Sequence, residues 1–581
     1  MTSSVTRRVA RPVSGPGRRA TRVARVARPV RAWIWPVVLG LAATLTWSAP
    51  ATAGADAGAP RPAGLKETPA GLNGAHAGLK EVPAGLQEAP AGLKEAIDEI
   101  LTDPRLAGGA ASVVVADAAG GEVLHEHRPA DRLLPASNTK LITSAAAMEL
   151  LGPGYRFRTD VLTEGRQTGQ VLDGDLYLRG GGDPTMLAKD YDALAKKIAD
   201  TGVRQITGRL VADDTRFDAE RLGRSWAADD ESAYYAAQIS PLSVAPDTDY
   251  DAGSLIVETR PGAAAGDRPT VTPVPGAGYV RVDNRATTAP RGAPTTLSVQ
   301  RRHGGNTLTV TGAVPVGAAP VRQWISVWEP TGHAAAVFAD ALKRHGVHLA
   351  GPTRLGVPTP PGARPLAAHR SMPLKKLLVP FMKLSNNIHA EVLTKTLGYE
   401  APASPGRGTW SAGLTAIRGF LEKEGVDTAT LRQVDGSGLS RLNALPARQL
   451  TRLLVSVRDA DWYPDWHASL PVACAPDRMV GGTLRTRMCD TPAARNAHAK
   501  TGSLTGASAL SGYVKDARGR ELAFSIVLGG YLAPSVKSVE DAIVVTLASS
   551  GRGRVAAVRP QAGAGGKGAA DLECSWRKAP C

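Results

Sequence analysis

The sequence of 581 residues lacks the common signatures of metal sites. It contains only four cysteines, none of them in a C-x-x-C pair, and no Cys/His cluster has the spacing of a zinc site. No H-E-x-x-H sequence occurs either. We therefore predict an enzyme or binding protein without a metal and without a cofactor.

The sequence also lacks the G-x-S-x-G elbow that presents the serine of many Ser-His-Asp enzymes. His389 and His498 lie beside sequence motifs, but the sequence contains no elbow serine that either histidine could activate. We therefore predict structural roles for both. The net charge of +16 suggests nucleic acid as a partner, but no fold motif supports nucleic-acid binding.

The positive charge is concentrated at the start of the chain. Residues 1–53 contain nine Arg, no Lys and no acidic residue. An uncharged apolar stretch follows Arg31 and ends in small-residue cleavage patterns, which is the layout of a secretory signal. We predict that residues 1–53 are a signal peptide and that the protein is exported, to the cell wall or the extracellular space. Retention of this segment as a membrane tether is the alternative.

The four cysteines agree with an oxidising compartment. They are Cys474, Cys489, Cys574 and Cys581, which allow three pairings in two bridges. We predict local pairing, Cys474 with Cys489 and Cys574 with Cys581. Free thiols are the alternative.

An Ala-Gly-Leu unit recurs every seven residues from residue 63, but prolines recur at the same period and exclude a coiled coil. We predict that residues 54–92 form a flexible linker. It is either a tether across the cell wall or a repeat expansion without a partner. At the other end, residues 551–581 are predicted to form a Gly-rich basic tail.

The first chemical motif lies in the stretch Leu134–Gly152, which has helical spacing of apolar residues. Ser137 and Lys140 are three residues apart and share one face of its first turn. A serine hydroxyl becomes a nucleophile when a base takes its proton, and a lysine with a depressed pKa can be that base. The structural alternative is an N-cap serine with a solvated lysine.

A second motif, Ser385-Asn386-Asn387, separates two apolar helical stretches. Because Ser and Asn are favoured N-cap residues, helix capping is its structural alternative.

A third motif, Lys500-Thr501-Gly502-Ser503, leads into a predicted hairpin at the edge of a sheet. Lys500 can attract a substrate carboxylate, and Thr501 can hydrogen-bond it. Gly502 permits close approach of a ligand to the backbone. The structural alternative is a turn that begins the strand.

In this order the three motifs resemble the penicillin-interacting serine acyltransferases. The stretches 180–185, 435–440 and 482–485 extend the resemblance. Over about residues 94–550 the chain is similar to the D-alanyl-D-alanine carboxypeptidase/endopeptidase family, the class C low-molecular-mass penicillin-binding proteins. Many relatives have Ser-Asp-Asn where this chain has Ser-Asn-Asn, and the first and last residues are kept.

The interval between Ser137 and Ser385 is far longer than one helical lobe needs. It contains mostly strand-like runs, including 170–178 as one strand, followed by a predicted helix at 333–345. It predicts an insertion, and the resemblance implies two extra domains there. The expected fold is α/β (α+β): a β-lactamase/transpeptidase-like lobe, with an antiparallel sheet flanked by helices, from residues 93–160 and 365–550. Two β-rich domains are inserted at 161–364.

The resemblance implies a serine D-Ala-D-Ala carboxypeptidase. Ser137 would attack the penultimate D-Ala carbonyl and form an acyl-enzyme, with Lys140 as base. Ser385 would relay a proton to the leaving D-Ala amine. Asn387 would hold Lys140 and the substrate amide.

The same resemblance places the terminal carboxylate of the substrate on Lys500 and Thr501, and the oxyanion hole on the backbone amides of Ser137 and Ser503. The implied partners are peptidoglycan stem peptides, with β-lactams as covalent inhibitors. Cleavage of cross-links, as a D,D-endopeptidase, stays open. The alternatives are a serine β-lactamase, against which the large insertion argues, and a non-catalytic cell-wall binding module.

Overall fold

The computed structural model describes residues 90–404, 406–561 and 578. The predicted signal peptide, nearly all of the linker, most of the tail, Cys574 and Cys581 lie outside the described residues. Within those ranges no helix is both long enough and apolar enough to cross a lipid bilayer.

The described ranges contain helices and strands in alternating groups. The helices are α1 (Leu93–Ile100), α2 (Thr139–Leu151), α3 (Ala188–Asp200), α4 (Pro330–Arg344), α5 (Leu374–Lys383), α6 (Asn387–Glu400), α7 (Trp410–Lys423), α8 (Ala447–Ser456), α9 (Tyr463–Ser469), α10 (Arg478–Gly481) and α11 (Lys537–Ser549). The strands are β1 (Ala110–Asp117), β2 (Val123–His127), β3 (Arg158–Thr163), β4 (Arg166–Thr168), β5 (Val171–Asp173), β6 (Leu176–Arg179), β7 (Gln205–Ile206), β8 (Leu210–Asp213), β9 (Ser254–Arg260), β10 (Thr270–Val274), β11 (Arg281–Asn284), β12 (Thr287–Ala289), β13 (Ser298–Arg301), β14 (Thr307–Thr311), β15 (Ala313–Pro315), β16 (Val321–Ser326), β17 (His348–Leu349), β18 (Arg354–Leu355), β19 (Arg364–Arg370), β20 (His498–Leu504), β21 (Ala507–Lys515) and β22 (Glu521–Gly529).

The main lobe is built on a five-stranded antiparallel sheet in the order β2-β1-β22-β21-β20. Strands β1, β20, β21 and β22 are buried on both faces, whereas the edge strand β2 is partly exposed. Successive side chains point to opposite faces because the strand period is two residues. Val113 and Val115 of β1 pack with α1 and α11, whereas Val114 packs in the core that contains α2 and α8. This confirms the predicted sheet flanked by helices, and β20, with the third motif, lies at its edge.

The chain leaves this lobe through β3 and returns through β19, and these two strands pair antiparallel, with Asp160 opposite Ala368. Between them, β3, β6 and β8 pack against α3 and α4 around one apolar core. Strands β9, β13, β14 and β16 enclose a second one. The domain boundaries near 160 and 365 stay predictions.

Two details of this inserted segment differ from the sequence prediction. The run 170–178, expected as one strand, is two strands, because Gly174 with φ 140° turns the chain between β5 and β6. Helix α3 was not predicted at all. Its Tyr191, Leu194 and Ile198 are buried at helical spacing.

One predicted disulfide lies within the described residues. Cys474 and Cys489 are joined, with their Cα atoms 4.9 Å apart. The bridge closes the loop that contains α10 and precedes β20. The pairing of Cys574 with Cys581 stays a prediction.

Candidate active site

Ser137 and Lys140 lie in the core of the main lobe at the start of α2. Residues Ala136–Asn138 form a 3₁₀ turn that runs directly into α2. The α-helix therefore begins later than Pro135, where the sequence predicts its start, but the two side chains still share one face. Ser137 is 2% exposed and Lys140 is fully buried. Burial argues against the alternative of a solvated lysine.

Three oxygen atoms fix the position of the Lys140 side-chain nitrogen. Nζ lies 2.8 Å from Ser137 Oγ, 2.7 Å from Asn387 Oδ1 and 2.8 Å from the carbonyl oxygen of Ser437. Asn387 is itself oriented, because its Nδ2 donates to the carbonyl of Tyr235 at 2.9 Å. The amide oxygen is therefore turned toward Lys140. The first motif and the last residue of the second one meet as the sequence predicts.

In the second motif, the middle residue caps a helix and the two outer residues belong to the site. Asn386 is the N-cap of α6, and its Oδ1 accepts from the amides of Ile388 and His389. The capping alternative is thus fulfilled by the middle residue alone. Ser385 and Asn387 remain available to the site. Ser385 is in the left-handed region, with φ 58°, which is uncommon for a residue other than glycine.

The third motif meets the second one through Lys500. Its Nζ donates to Ser385 Oγ at 2.8 Å and to the carbonyl of Thr501 at 2.7 Å. Thr501 Oγ1 donates to Thr483 Oγ1 at 2.8 Å. Lys500 is fully buried, so its charge lies inside the site and can act on a bound anion with little screening.

Two glycines let the backbone pack tightly around the nucleophile. A Cβ at Gly502 would lie 2.6 Å from the carbonyl oxygen of Pro135 and 3.1 Å from the amide nitrogen of Ser137. A Cβ at Gly438 would lie 1.8 Å from the carbonyl oxygen of Ala136. Gly502 therefore allows β20 to lie against the turn that carries Ser137. The next residue, Ser503, is 2% exposed, and its hydroxyl has no partner among the residues described.

A buried carboxylate, which no motif predicted, hydrogen-bonds the backbone segment that contacts Lys140. Glu391 accepts from the amides of Gly436 and Ser437 at 2.9 and 2.8 Å, and from the indole of Trp410 at 2.8 Å. Burial, with a contribution from the charge of Asp435, raises the pKa of Glu391 to about 7. These bonds hold the backbone directly before the Ser437 carbonyl, which lies 2.8 Å from Lys140 Nζ. The sequence signal was an acidic residue four positions after Asn387, on the same face of a predicted apolar helix.

Residues 435–440 form a hydrogen-bonded turn, which the Asp-Gly-Ser-Gly sequence favours. Asp435 accepts from the amides of Gly438 and Ser440 and from Asn443 Nδ2 at 2.8 Å. Ser437 Oγ accepts from the amide of Leu439 at 3.2 Å. Ser437 therefore contributes its carbonyl to Lys140 and its hydroxyl to the turn. Thr483 and the carbonyl of Tyr235 also contact the site without having been predicted.

Of the two histidines beside the motifs, His389 is buried and His498 is half-buried. His389 is fully buried, and its Nε2 lies 3.0 Å from the carbonyl of Tyr250. His498 stacks on His467 with ring centroids 4.6 Å apart. Desolvation on burial lowers the pKa of each of the three histidines to about 4. Neither His389 nor His498 hydrogen-bonds Ser137 among the contacts described.

We expect acidification to destabilise the fold through His389. Its folded pKa is below the unfolded value of 6.5, so the unfolded chain binds more protons between pH 6.5 and 4. The contribution of His389 to the free energy of unfolding is fully present above pH 6.5. It falls toward pH 4, by at most about 3 kcal/mol. Denaturant titrations at several pH values should show that His389→Gln loses less unfolding free energy than the wild type as the pH falls from 6.5 to 4. His348→Gln, in the exposed part of β17, should retain the original slope.

Residues 93–550 match the D-Ala-D-Ala carboxypeptidase 3 (S13) family. The chain is 47% identical over 489 residues to a D-alanyl-D-alanine carboxypeptidase of an Actinomadura species, covering 83% of this chain and 89% of the relative.

Two solved structures of a penicillin-binding protein are also similar to this chain. The crystal structure of penicillin binding protein 4 (dacB) from Haemophilus influenzae superposes with a TM-score of 0.66 at 26% identity, covering 76% of this chain and 94% of that one. A second structure of that protein, complexed with a β-lactam, has a TM-score of 0.61 at 25% identity, with the same coverage of both chains. These matches agree with the family resemblance of the three motifs.

Proposed function

The chain belongs to the D-Ala-D-Ala carboxypeptidase 3 (S13) family, and on that premise we propose that it hydrolyses the terminal D-Ala-D-Ala bond of peptidoglycan stem peptides through an acyl-enzyme on Ser137. It is a serine-type hydrolase of this family. One observation carries the assignment of the nucleophile: the Lys140 amine lies 2.8 Å from the Ser137 hydroxyl in a site from which water is largely excluded. This distance is within reach for direct proton transfer.

Acylation begins at that hydrogen bond. Lys140, as the free amine, takes the Ser137 proton while Oγ attacks the penultimate D-Ala carbonyl. The oxygen of the carbonyl becomes an oxyanion, which the backbone amides of Ser137 and Ser503 stabilise. Asn387 and the carbonyl of Ser437 hold Nζ in place throughout, so little reorganisation is needed when the proton moves.

Collapse of the tetrahedral intermediate breaks the C–N bond and needs a proton on the departing amine. Ser385 supplies a hydroxyl for this transfer, and Lys500 orients it with a 2.8 Å hydrogen bond. The proton that Lys140 accepted returns to the leaving D-Ala through this hydroxyl. Water then attacks the acyl-enzyme. This hydrolysis releases the shortened peptide and regenerates the Ser137 hydroxyl.

The terminal carboxylate of the substrate is bound at the other end of the site. Lys500 contributes a buried positive charge and Ser503 a hydroxyl donor, and the Thr501 hydroxyl donates to the carboxylate when it rotates away from Thr483. The Ser503 hydroxyl is buried without a described partner, which suits a group that pairs only when substrate is present. A β-lactam carries a carboxylate in a comparable position and would be bound as a covalent inhibitor.

We also propose export as the location of this activity. The Arg-rich, apolar N-terminal 53 residues have the layout of a signal peptide, and the substrate class lies outside the cytoplasm. Whether that segment is cleaved or kept as a tether is decided by N-terminal mass analysis of protein recovered from its host.

Benzylpenicillin is expected to form one covalent adduct, on Ser137. Intact-mass analysis should show one added inhibitor mass, and peptide mapping should place it on the peptide that contains Ser137. Ser137→Ala should form no adduct and release no D-Ala from a pentapeptide. Ser411→Ala, at an exposed position of α7, is the matched control and should behave as the wild type.

Two other outcomes would favour the alternatives. Rapid turnover of nitrocefin would indicate a β-lactamase, since that activity requires fast hydrolysis of the acyl-enzyme. Folded protein that neither forms an adduct nor releases D-Ala would indicate a non-catalytic wall-binding module. Parallel digestion of cross-linked and uncross-linked peptidoglycan separates carboxypeptidase from endopeptidase preference.

A further inference from the structure

The oxygen atoms around Lys140 decide where its lone pair points. Nζ lies 2.8 Å from Ser137 Oγ, 2.7 Å from Asn387 Oδ1 and 2.8 Å from the carbonyl oxygen of Ser437. A free amine carries two N–H groups and one lone pair. Neither the Asn387 oxygen nor the carbonyl can donate a proton, so each of them accepts one N–H group. The lone pair is then directed at the Ser137 hydroxyl, as proton abstraction requires.

The Ser437 carbonyl belongs to the turn at 435–440, which lies in neither a helix nor a strand. Glu391 Oε1 accepts from the Ser437 amide at 2.8 Å, and Glu391 Oε2 accepts from the Gly436 amide at 2.9 Å. Each carboxylate oxygen therefore binds one of the two amides that precede the carbonyl. The position of this carbonyl depends on a side chain and not on a regular backbone ladder.

Glu391 and Asn387 are four residues apart on α6 and share one face of that helix. One helix face therefore controls both acceptors of the Lys140 N–H groups, one of them directly and the other through the turn. Trp410 Nε1 also donates to Glu391, at 2.8 Å. The indole of Trp410 is held in turn by Lys395, whose Nζ lies 3.8 Å from the ring centroid. These contacts fix the direction of the Glu391 carboxylate.

The turn fits closely between α2 and α6. A Cβ at Gly436 would lie 2.1 Å from Thr394 Oγ1 and 2.6 Å from the carbonyl oxygen of Ala390, both on α6. On the other side, the Gly436 carbonyl accepts from Thr143 Oγ1 of α2 at 2.7 Å. The turn therefore lies between the helix that carries Lys140 and the helix that carries Glu391, and a change in its hydrogen bonds to α6 reaches Lys140 directly.

The burial of the Glu391 carboxylate is unfavourable for folding. Glu391 is fully buried, and its described partners are two backbone amides and one indole, all of them uncharged. A carboxylate that is buried without a basic partner costs desolvation energy. An apolar side chain would avoid that cost but would leave the two amides of the turn unpaired. The carboxylate is therefore suited to holding this turn.

We propose that Glu391 is a positioning residue for acyl transfer. It holds the turn at 435–440 so that the Ser437 carbonyl accepts one N–H group of Lys140 and the lone pair stays on the Ser137 hydroxyl. Without the carboxylate the carbonyl moves away, and Nζ can present an N–H group to Ser137 Oγ instead. This inference rests on the proposed function, and it concerns a residue that acts through Lys140 without contacting the substrate.

The first test separates chemistry from binding in the full-length chain. Glu391→Leu removes both acceptor oxygens, and at saturating benzylpenicillin the first-order rate of adduct formation on Ser137 should fall about 100-fold. The dissociation constant of the non-covalent complex should change less than about two-fold. Glu391→Gln keeps one acceptor oxygen, so its rate should fall about ten-fold. Quenched mass analysis over a range of inhibitor concentrations gives both constants.

Asp516 provides the matched control. It is a buried carboxylate that also accepts from two backbone amides of a turn, those of Arg518 and Arg520, each at 2.9 Å. This turn joins β21 to β22 and is not part of the site. Asp516→Leu should lower the free energy of unfolding, measured by chemical denaturation, and leave the first-order rate unchanged.

The second test measures geometry without measuring activity. Crystal structures of the wild type and of Glu391→Leu should show the distance between Lys140 Nζ and the Ser437 carbonyl oxygen increasing from 2.8 Å to more than about 3.5 Å. The contact between Nζ and Asn387 Oδ1 should remain. An unchanged Ser437 contact would overturn the proposal. If Glu391→Leu does not fold, the same criterion applies to Glu391→Gln.

The outcomes separate this inference from the proposed function. An unchanged first-order rate in a folded Glu391 variant would overturn the proposal. An equal loss in Asp516→Leu would assign the effect to general stability, and a change confined to the dissociation constant would assign Glu391 to substrate binding; either result would also overturn it. If the wild type forms no adduct at all, the proposed function fails, while the crystal structures still decide whether Glu391 positions the carbonyl.

Discussion

Replacing Lys140 with methionine is expected to slow the acylation of Ser137 by benzylpenicillin about 10³-fold. Methionine fills a similar volume but cannot accept the Ser137 proton. The remaining rate would come from substrate binding and the oxyanion donors, which the substitution does not remove. Stopped-flow or quenched mass measurements of adduct formation, at several inhibitor concentrations, give the second-order rate constant.

Two further variants separate loss of the base from loss of the fold. Lys140→Arg keeps a positive charge, but a guanidinium cannot act as a base near neutral pH, so it should be as inactive as Lys140→Met. Both variants leave the Asn387 amide oxygen and the Ser437 carbonyl with altered partners, so unfolding must be followed beside activity. Lys343→Met, at an exposed position, is the control for a lysine replaced by methionine. An acylation rate near that of the wild type in folded Lys140→Met would mean that another group takes the proton.

Gly438→Ala is expected to have the second largest effect, through sterics alone. The added Cβ would lie 1.8 Å from the carbonyl oxygen of Ala136 and 2.8 Å from Thr139 Oγ1. The residue also has φ 85°, which alanine adopts only with strain. Either the turn that carries Ser137 or the turn at 435–440 must move. We expect a loss of about 2–4 kcal/mol in unfolding free energy and an acylation rate reduced about 100-fold, since small misplacements of catalytic groups are costly.

The matched control is a glycine with free space around it. Gly419 is exposed in α7 and would meet no atom within 4 Å of an added Cβ. Gly419→Ala should stabilise the protein by up to about 1 kcal/mol and leave acylation unchanged. Chemical denaturation and adduct formation measured on the same preparations compare the two variants. Similar results for both glycines would contradict the steric argument.

The parts of the site that the sequence could predict are those encoded in short motifs. Ser137 and Lys140 share one helical face, and the order of the three motifs placed Asn387 and Lys500 with them. The carbonyls of Tyr235 and Ser437 could not be predicted in the same way, because any residue type supplies a carbonyl. Their roles depend on where distant loops are brought by packing.

The fold was predictable where periodicity was strong. Strands β21 and β22 form the hairpin predicted after the third motif, and helices α5 and α6 are the two helical stretches predicted around the second motif. Helix α3 was missed although its apolar residues have helical spacing, because it lies within a long interval dominated by strand-like runs. The role of Glu391 depends on contacts between segments far apart in sequence, and local patterns carry no information on such contacts.

The pairing of β1 with β22 has a consequence for when the enzyme becomes active during its production. Strand β1 precedes Ser137, whereas β20, β21 and β22 lie near the other end of the chain. A nascent chain that contains Ser137 and Lys140 but ends before β20 has neither Lys500 nor the strand that borders the nucleophile. Pairings between such distant segments are also slow to form, because closing so long a loop costs entropy before any contact is gained. Hydrolytic activity therefore requires a chain that extends through β22, and shorter translation products carry the nucleophile without the whole sheet.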